Sequence, residues 1–255
     1  MRIITWNVNS IRPRLERALA LLERHDPDVL CLQEIKVLDD DFPRDVFEAK
    51  GWHVETYGQR TYNGVALISK QPAADVVRGL PGEGPDDQRR LIAGTFDGVR
   101  VINIYVPNGQ APDSDKFVYK LDWLERLLAM LEADHSPDDP VVLLGDFNIA
   151  PDARDVHDPA AWEGKVHFHP KEHAILARFL QWGFVDVFRW HHRQGGLFSW
   201  WDYRGGGFPR DLGLRIDLIL GTETMAERSD DCFIDRDERT GEKPSDHAPV
   251  VADFE

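Results

Sequence analysis

Val141-Val142-Leu143-Leu144-Gly145-Asp146-Phe147-Asn148-Ile149-Ala150-Pro151 is the stretch from which the fold is read. Its apolar run makes a short, fully apolar strand, the kind found in sheets covered by helices. The run stops at Gly145, and a carboxylate and a carboxamide follow at once. Polar groups just past a buried strand end are where α/β sheets carry their ligands. Upstream, Lys116 to Leu131 predicts a helix with Phe117, Leu121, Leu124, Leu128 and Leu131 on one stripe. Further back, Arg90 to Phe96 and Val99 to Val106 flank Asp97-Gly98. Both of those turn residues tolerate positive φ, which predicts a hairpin.

The alternation continues in both directions. Strands are expected at Ile3 to Val8, Val29 to Leu32, Trp52 to Tyr57, Val65 to Ser69, Val185 to Phe188, Phe198 to Tyr203, Ile216 to Leu220 and Val250 to Phe254. Helices are expected at Arg14 to His25, with Ser10 as its cap and Pro13 in its first turn, and at Glu172 to Trp182. Asn63-Gly64 is a turn signal. Two long loops stand apart: Pro151 to Pro170, with His157, His167 and His169, and the Gly-rich segment from Gly205 to Gly213. Long loops in compact domains often carry function. The class is α/β, and without linker, repeat or low-complexity tract a single domain over 1–255 is expected.

Composition excludes several classes. Hydrophobic residues make up 42% and charged residues 29% of 255, ordinary values for a globular chain. Cys31 lies in the apolar run Val29-Leu30-Cys31-Leu32 and reads as a small buried hydrophobe, and with only Cys232 besides it there is no zinc or disulfide spacing. The first residues open directly into a strand, unlike a signal peptide, and no apolar run approaches the roughly 20 residues of a membrane span. A soluble, cytoplasmic protein with no membrane association and no obligate protein partner is expected. The net charge of −15 runs against nucleic-acid binding by the whole surface. A local basic groove or a bound cation outweighs such a sum, so DNA is not excluded.

The chemistry-bearing residues share one placement. Asn7 ends the first strand, Glu34 follows Cys31-Leu32-Gln33, Asp146 and Asn148 follow the central strand, Asp217 begins another, and Asp246-His247 precede the last. Any one of these alone reads as a turn former or a surface charge. Together they form a set of oxygen donors that suits a hard cation, Mg²⁺ or Mn²⁺, with coordination positions left for a phosphate.

Trp6-Asn7-Val8-Asn9, Leu32-Gln33-Glu34-Ile35-Lys36, Asn63-Gly64-Val65-Ala66, Tyr105-Val106-Pro107-Asn108-Gly109, Gly145-Asp146-Phe147-Asn148, Phe198-Ser199-Trp200-Trp201, Gly213-Leu214-Arg215-Ile216-Asp217 and Pro244-Ser245-Asp246-His247 occur in that order. This series resembles the motifs of the exonuclease III family across essentially the whole chain. The resemblance implies a four-layer α/β sandwich, two packed mixed β-sheets flanked by helices. It implies metal ligation centred on Glu34 with Asn7 and Asp246, and with Asp146, Asn148 and His247 in the same set. It also implies that Asp146 orients or deprotonates the attacking water and that Asn148 binds the scissile phosphate. His247, held by Asp217, would sit on a phosphoryl oxygen, and Tyr105 and Asn108 would contact the phosphate.

The implied activity is DNA repair: hydrolysis at abasic sites, or trimming of blocked 3′ ends by 3′-to-5′ exonuclease or 3′-phosphatase action on double-stranded DNA. Trp200, Leu214 and Ile216 match positions of an apolar pocket that would take a base-less sugar swung out of the duplex. Arg204, Arg210 and Arg215 are expected along the DNA backbone or in a groove, with Lys36, Arg89, Arg90, Lys116 and Lys120 as further phosphate contacts. A bulky His167 or His169 would restrict an internal flipped sugar while leaving 3′ ends accessible. Two other readings share the metal site: a phosphatase of a small or lipid phosphate ester, and a catalytically silent DNA-binding relative.

Overall fold

The apolar runs become the strands of two sheets. The computed structural model describes residues 1–84 and 87–255. In chain order its strands are β1 (Arg2–Asn7), β2 (Val29–Gln33), β3 (His53–Tyr57), β4 (Val65–Ser69), β5 (Ala74–Arg78), β6 (Leu91–Phe96), β7 (Val99–Tyr105), β8 (Val141–Asp146), β9 (Phe184–Asp186), β10 (Trp200–Trp201), β11 (Gly213–Leu214), β12 (Asp217–Thr222), β13 (Ser229–Ile234) and β14 (Val250–Phe254). The helices are α1 (Leu15–His25), α2 (Arg44–Glu48), α3 (Asp115–Asp134), α4 (Pro159–Trp162), α5 (Pro170–Trp182), α6 (Val187–His191) and α7 (Glu223–Glu227).

One six-stranded sheet runs β13-β14-β1-β2-β4-β3 and the other β5-β6-β7-β8-β12-β9, while β10 and β11 form a small ribbon. Each large sheet contains a parallel pair, β1 with β2 and β7 with β8. Parallel neighbours need a crossover, and α1 and α3 supply it. Parallel strands also end on the same edge, which decides where the site lies. Asn7 ends β1 level with Gln33, and Tyr105 ends β7 level with Asp146. Asp217 then stands opposite Asp146 across the β8–β12 ladder.

Successive side chains of a strand face opposite ways. Ile3, Val29 and Cys31 of the first sheet meet Val101, Val142, Leu144 and Ile219 of the second in the space between the sheets. Ile4, Leu30 and Leu32 pack outward on Ala18, Leu21 and Leu22 of α1. Ile102, Leu143 and Leu218 pack outward on Leu124 and Leu127 of α3 and Ile175 and Phe179 of α5. The layers are helix, sheet, sheet, helix: a four-layer α/β sandwich. One polar bridge crosses its centre. Gln33 Nε2 donates to Thr5 Oγ1 at 2.9 Å and Asn103 Oδ1 at 2.7 Å, and Asn103 Nδ2 donates to the Leu32 and Ala66 carbonyls at 3.0 Å. The Asp97-Gly98 hairpin forms as expected, with φ of +48° and +80°. Among the described residues, no helix is long and apolar enough to cross a membrane.

Three expectations are corrected. Ser10 does not cap α1: its φ is +86° and its amide donates to the Glu34 carbonyl at 2.7 Å, while residues 12–14 form a 3₁₀ turn ahead of the helix. The strand expected at Val185 to Phe188 stops at Asp186, whose carboxylate accepts from the Arg189 amide at 3.1 Å and starts α6. The strand expected at Phe198 to Tyr203 shrinks to Trp200–Trp201, because the Ser199 side chain turns inward to Asp217 and the chain leaves the ladder after Trp201. The edge strands β5 and β13 escape pattern reading: β5 is mostly exposed, β13 has Cys232 as its single buried residue, and neither alternates cleanly.

Gly145 lets β8 lie close against β7. Its φ is +142°, and a methyl group there would fall 1.9 Å from the Ile104 carbonyl oxygen. Gly145→Ala is therefore expected to destabilise the fold by on the order of 3 kcal/mol or more, read as a lowered denaturation midpoint. A midpoint within error of the wild type would refute this account of the β7–β8 contact.

Candidate active site

The ends of β1, β2, β7 and β8 and the loop before β14 meet at one edge of the sandwich. Asn7, fully buried, is the link between the sheets. Its Nδ2 donates to Glu34 Oε1 at 2.8 Å and Asp146 Oδ2 at 2.9 Å. Asn148 returns its amide to Asp146 Oδ1 at 2.9 Å, and its side chain bridges Val106 O (3.0 Å) and Asn108 Nδ2 (3.2 Å). Two tethers carry the last loop to this edge: Ser245 Oγ donates to Asn7 O at 2.6 Å, and Trp6 Nε1 donates to His247 O at 3.0 Å.

His247 and Asp217 form a buried pair, with Nδ1 2.9 Å from Asp217 Oδ2 and 3.1 Å from Oδ1. Ser199 Oγ donates to the same Oδ2 at 2.6 Å and accepts from the Ile216 and Asp217 amides at 3.1 Å, which fixes the carboxylate in place. The other imidazole nitrogen, Nε2, lies 3.8 Å from Asp146 Oδ2. Burial pulls the His247 pKa down, but the Asp217 and then Asp146 carboxylates outweigh it and hold the pKa up at about 10. Burial pushes the Asp146 carboxyl up to about 7; the His247 charge opposes this, and Asp217 and Glu34 add to it. Asp246 is held low: burial works against its charge, but His247, Asn9 Nδ2 (2.9 Å) and Trp200 Nε1 (3.1 Å) prevail. Burial raises the Tyr105 phenol, with Glu34 adding to the effect, so its hydroxyl stays protonated as a donor.

The backbone is unusual here. Asn9, Ser10, Glu34, Lys36, Asn63, Asn148 and His167 all have φ between +44° and +86°. Glu34 is one of the unexpected ones, with Ser10, Lys36 and His167, because a left-handed conformation suits Asn or Gly. It is enforced by neighbours: the Ile35 amide bonds to Gly64 O and the Lys36 amide to Asn63 O. Local strain of this kind collects at functional sites.

The donor set fits a hard cation. Glu34, Asp146 and His247 each bring one ligand atom within 4.8 Å of the others, with Asn7 and Asp246 bordering them. The carboxylate oxygens of Glu34 and Asp146 suit Mg²⁺, whereas Asn7 turns its Nδ2 to them and its Oδ1 accepts from the Asn9 amide at 2.9 Å, and Asn148 Oδ1 accepts from Asn108. His247 is a further exception in the expected ligand set. An imidazole that keeps both protons is a donor and not a ligand, so its geometry favours an anion over a cation.

The peripheral residues divide. Lys36 Nζ lies 2.8 Å from Glu34 Oε2. Asn108 and Lys116 are exposed and border, with Tyr105, a cleft of about 480 Å³. Leu214 and Ile216 are buried with Ala150 and Val156, and Trp200, Trp162 and Phe168 pack on that cluster. Arg204 projects with its side chain 94% exposed. Arg215 is corrected: it is 1% exposed, and its guanidinium is spent on Asp155 and Asp186, so it cannot follow a DNA backbone. Arg90, stacked on Tyr105 at 4.6 Å, and Lys120, fully buried, are likewise internal, and Arg89 pairs with Asp39 at 3.2 Å. His169 is corrected too: it starts α5, accepting from the Lys171 amide at 3.1 Å, and its ring meets Phe117 edge-on. Sequence reasoning missed the supporting roles of Asn9, Ser199 and Ser245 and the place of Trp162. None has a spacing signal, although each sits within a few residues of a residue singled out.

Asp217→Asn removes the largest force holding His247 protonated. A histidine whose folded pKa is raised stabilises the fold fully below about pH 6.5, and this contribution is lost as pH rises through the folded value. The variant should lose His247's charge at lower pH, so the alkaline limb of its pH–rate profile moves acidward and the rate at neutral pH falls about 10²-fold or more. An unmoved limb would contradict the pairing.

Residues 4–247 match the Endonuclease/Exonuclease/phosphatase family. Exodeoxyribonuclease III of Haemophilus influenzae is 39% identical, with all of both chains covered. Among solved structures, the 3′ phosphatase NExo from Neisseria, bound to a product DNA hairpin, is 45% identical with a TM-score of 0.96, covering 100% of this chain and 99% of that one. An AP endonuclease from Archaeoglobus fulgidus is 43% identical, again with a TM-score of 0.96 and coverage of 100% and 99%. By its motifs, its sandwich and its full-length relatives, the chain belongs to the endonuclease/exonuclease/phosphatase family, among the exodeoxyribonuclease III-type DNA-repair nucleases.

Proposed function

We propose that the enzyme acts chiefly on 3′ ends of duplex DNA, removing 3′-phosphates, blocked 3′ residues and terminal nucleotides, and that it disfavours internal abasic sites. The observation that carries this reading is the placement of His167. It is 7% exposed, with φ of +75°. Its Nδ1 donates to Asn148 O at 2.7 Å, and Nε2 lies 3.3 Å from Asn108 Nδ2. Its ring stands between Trp162 and Trp200, 6.3 Å from each centroid. These are the rings that pack on the Leu214–Ile216 cluster, where a swung-out sugar would lodge. Burial, and then the Lys120 charge, push the His167 pKa down to about 3, so the ring stays neutral and adds no charge for an internal phosphate. A terminal phosphate needs only the amides and His247, whereas an internal lesion needs the space the imidazole takes.

The residues divide the labour as follows. Glu34, with Asn7, Asp146 and Asp246, would hold Mg²⁺ (Mn²⁺ in its place). That ion, when bound, neutralises the phosphate and stabilises the leaving oxygen. Asp146 orients the attacking water and takes its proton as the new P–O bond forms. Asn148 Nδ2 and Asn108 donate to non-bridging oxygens, and imidazolium His247 donates through Nε2 while Asp217 holds Nδ1. Tyr105 donates to the phosphate or to the departing 3′ oxygen. Lys36, Lys116 and exposed Arg204 contact the flanking backbone of the duplex.

Three measurements test this. His167→Gly should raise internal abasic cleavage relative to 3′-phosphate removal by about tenfold or more, the scale set by opening room for a sugar. An unchanged ratio on matched duplexes would remove the idea. Asp146→Asn should cut the rate of either reaction by about 10²–10⁴-fold while leaving DNA binding intact; cleavage at the wild-type rate would place the chemistry elsewhere. Dialysis against a chelator should abolish cleavage and Mg²⁺ should restore it, and full activity without divalent ions would overturn the metal assignment.

A further inference from the structure

Behind the phosphate-facing amides lies a group that the reaction does not touch. Lys120 of α3 and Glu172 of α5 form an ion pair in which neither side chain has any solvent exposure. Desolvating two charges offsets their attraction unless every remaining donor and acceptor is matched. Here they are matched, and the partners are specific. Beyond Glu172, Lys120 Nζ donates to Asn148 O at 2.7 Å and reaches Asn108 O at 3.3 Å. Its stem runs under Gly109, where a Cβ would fall 3.1 Å from Lys120 Cδ. Glu172 Oε1 accepts from the His167 amide at 3.2 Å, and Oε2 accepts from the His169 amide at 3.0 Å. One buried pair therefore joins the backbone at 108, 148, 167 and 169.

We propose that Lys120 and Glu172 are positioning residues that set the separation between His167 and the amides of Asn108 and Asn148, and thereby the enzyme's choice between 3′ ends and internal sites. The inference rests on the reading of His167 given above. An apolar pair of similar volume would pack α3 against α5 without desolvating two charges. It would not tie two loop carbonyls and two loop amides to one pair of side chains. The amides act by alignment alone, and a shift of about an ångström is enough to lose rate.

The test uses Lys120→Met/Glu172→Leu, in which both charges leave together and neither is stranded. Wild type, this double variant and His167→Gly are compared on duplexes carrying a 3′-phosphate or an internal abasic site. The double variant should melt below wild type, because the His167 and His169 amides lose their acceptor, but stay folded at the assay temperature, as its circular dichroism will show. Its kcat on the 3′-phosphate should fall about tenfold with KM changed less than about twofold, the split expected when alignment and not affinity is lost. Its internal-to-end ratio should rise about fivefold or more. A folded double variant with wild-type kcat and ratio, beside a His167→Gly whose ratio rises, overturns the proposal alone. A ratio unmoved by His167→Gly overturns the reading of His167, and the pair's control of selectivity with it. Glu172→Gln, which keeps the shape but turns one acceptor into a donor facing the His169 amide, carries the same comparison if the double variant does not fold.

Discussion

A carboxylate buried at the end of β8 governs the rest of the site. Asp146 is 1% exposed, and a charge so placed is tolerated only if its surroundings answer it. Two donors come from fixed backbone and amide groups, Asn148 N and Asn7 Nδ2, and a cationic imidazole stands nearby. Each of these depends on a different long-range feature. Asn7 is level with the site because β1 and β2 run parallel. His247 arrives through the Ser245 and Trp6 tethers, and Asp217 comes from the β8–β12 register. The neutralisation is incomplete, and burial leaves the carboxyl reluctant to ionise.

How legible all this was depended on the kind of constraint. The central strands were plain because their apolar runs stop abruptly, and β8 shows why: Val142 faces one layer and Leu143 the other, so no position is left for a polar residue. The grouping of Asn7, Glu34, Asp146, Asn148 and His247 followed from their common place beyond strand ends, together with the order of the motifs. What could not be read were groups whose role is to hold another group. Ser199 steadies Asp217 from a short segment that looked like a longer strand, and nothing in Phe198-Ser199-Trp200 marks it. Val187-Phe188 looked like strand because apolar residues beside each other fit either element; the carboxylate of Asp186 made the choice.

Positive charge was the least readable property. Arg215 lies between Leu214 and Ile216 in the link from β11 to β12, and its side chain leaves the cluster those two join for Asp155 and Asp186. Arg90 and Lys120 are likewise consumed inside. On a chain of net charge −15, Arg204 and Lys116 keep their side chains in solvent, unlike Arg215, Arg90 and Lys120.

The pairing of β1 has a consequence for how the protein comes into being. β1 lies between β2 and β14, and Arg2 stands opposite Asp253. During synthesis the first strand leaves the ribosome early and can pair on one side only, until residues 250–254 have followed. Asp246 and His247 reach Asn7 in the same event. A nascent chain thus carries no assembled cutting centre, and the nuclease becomes competent only when translation of this segment is over.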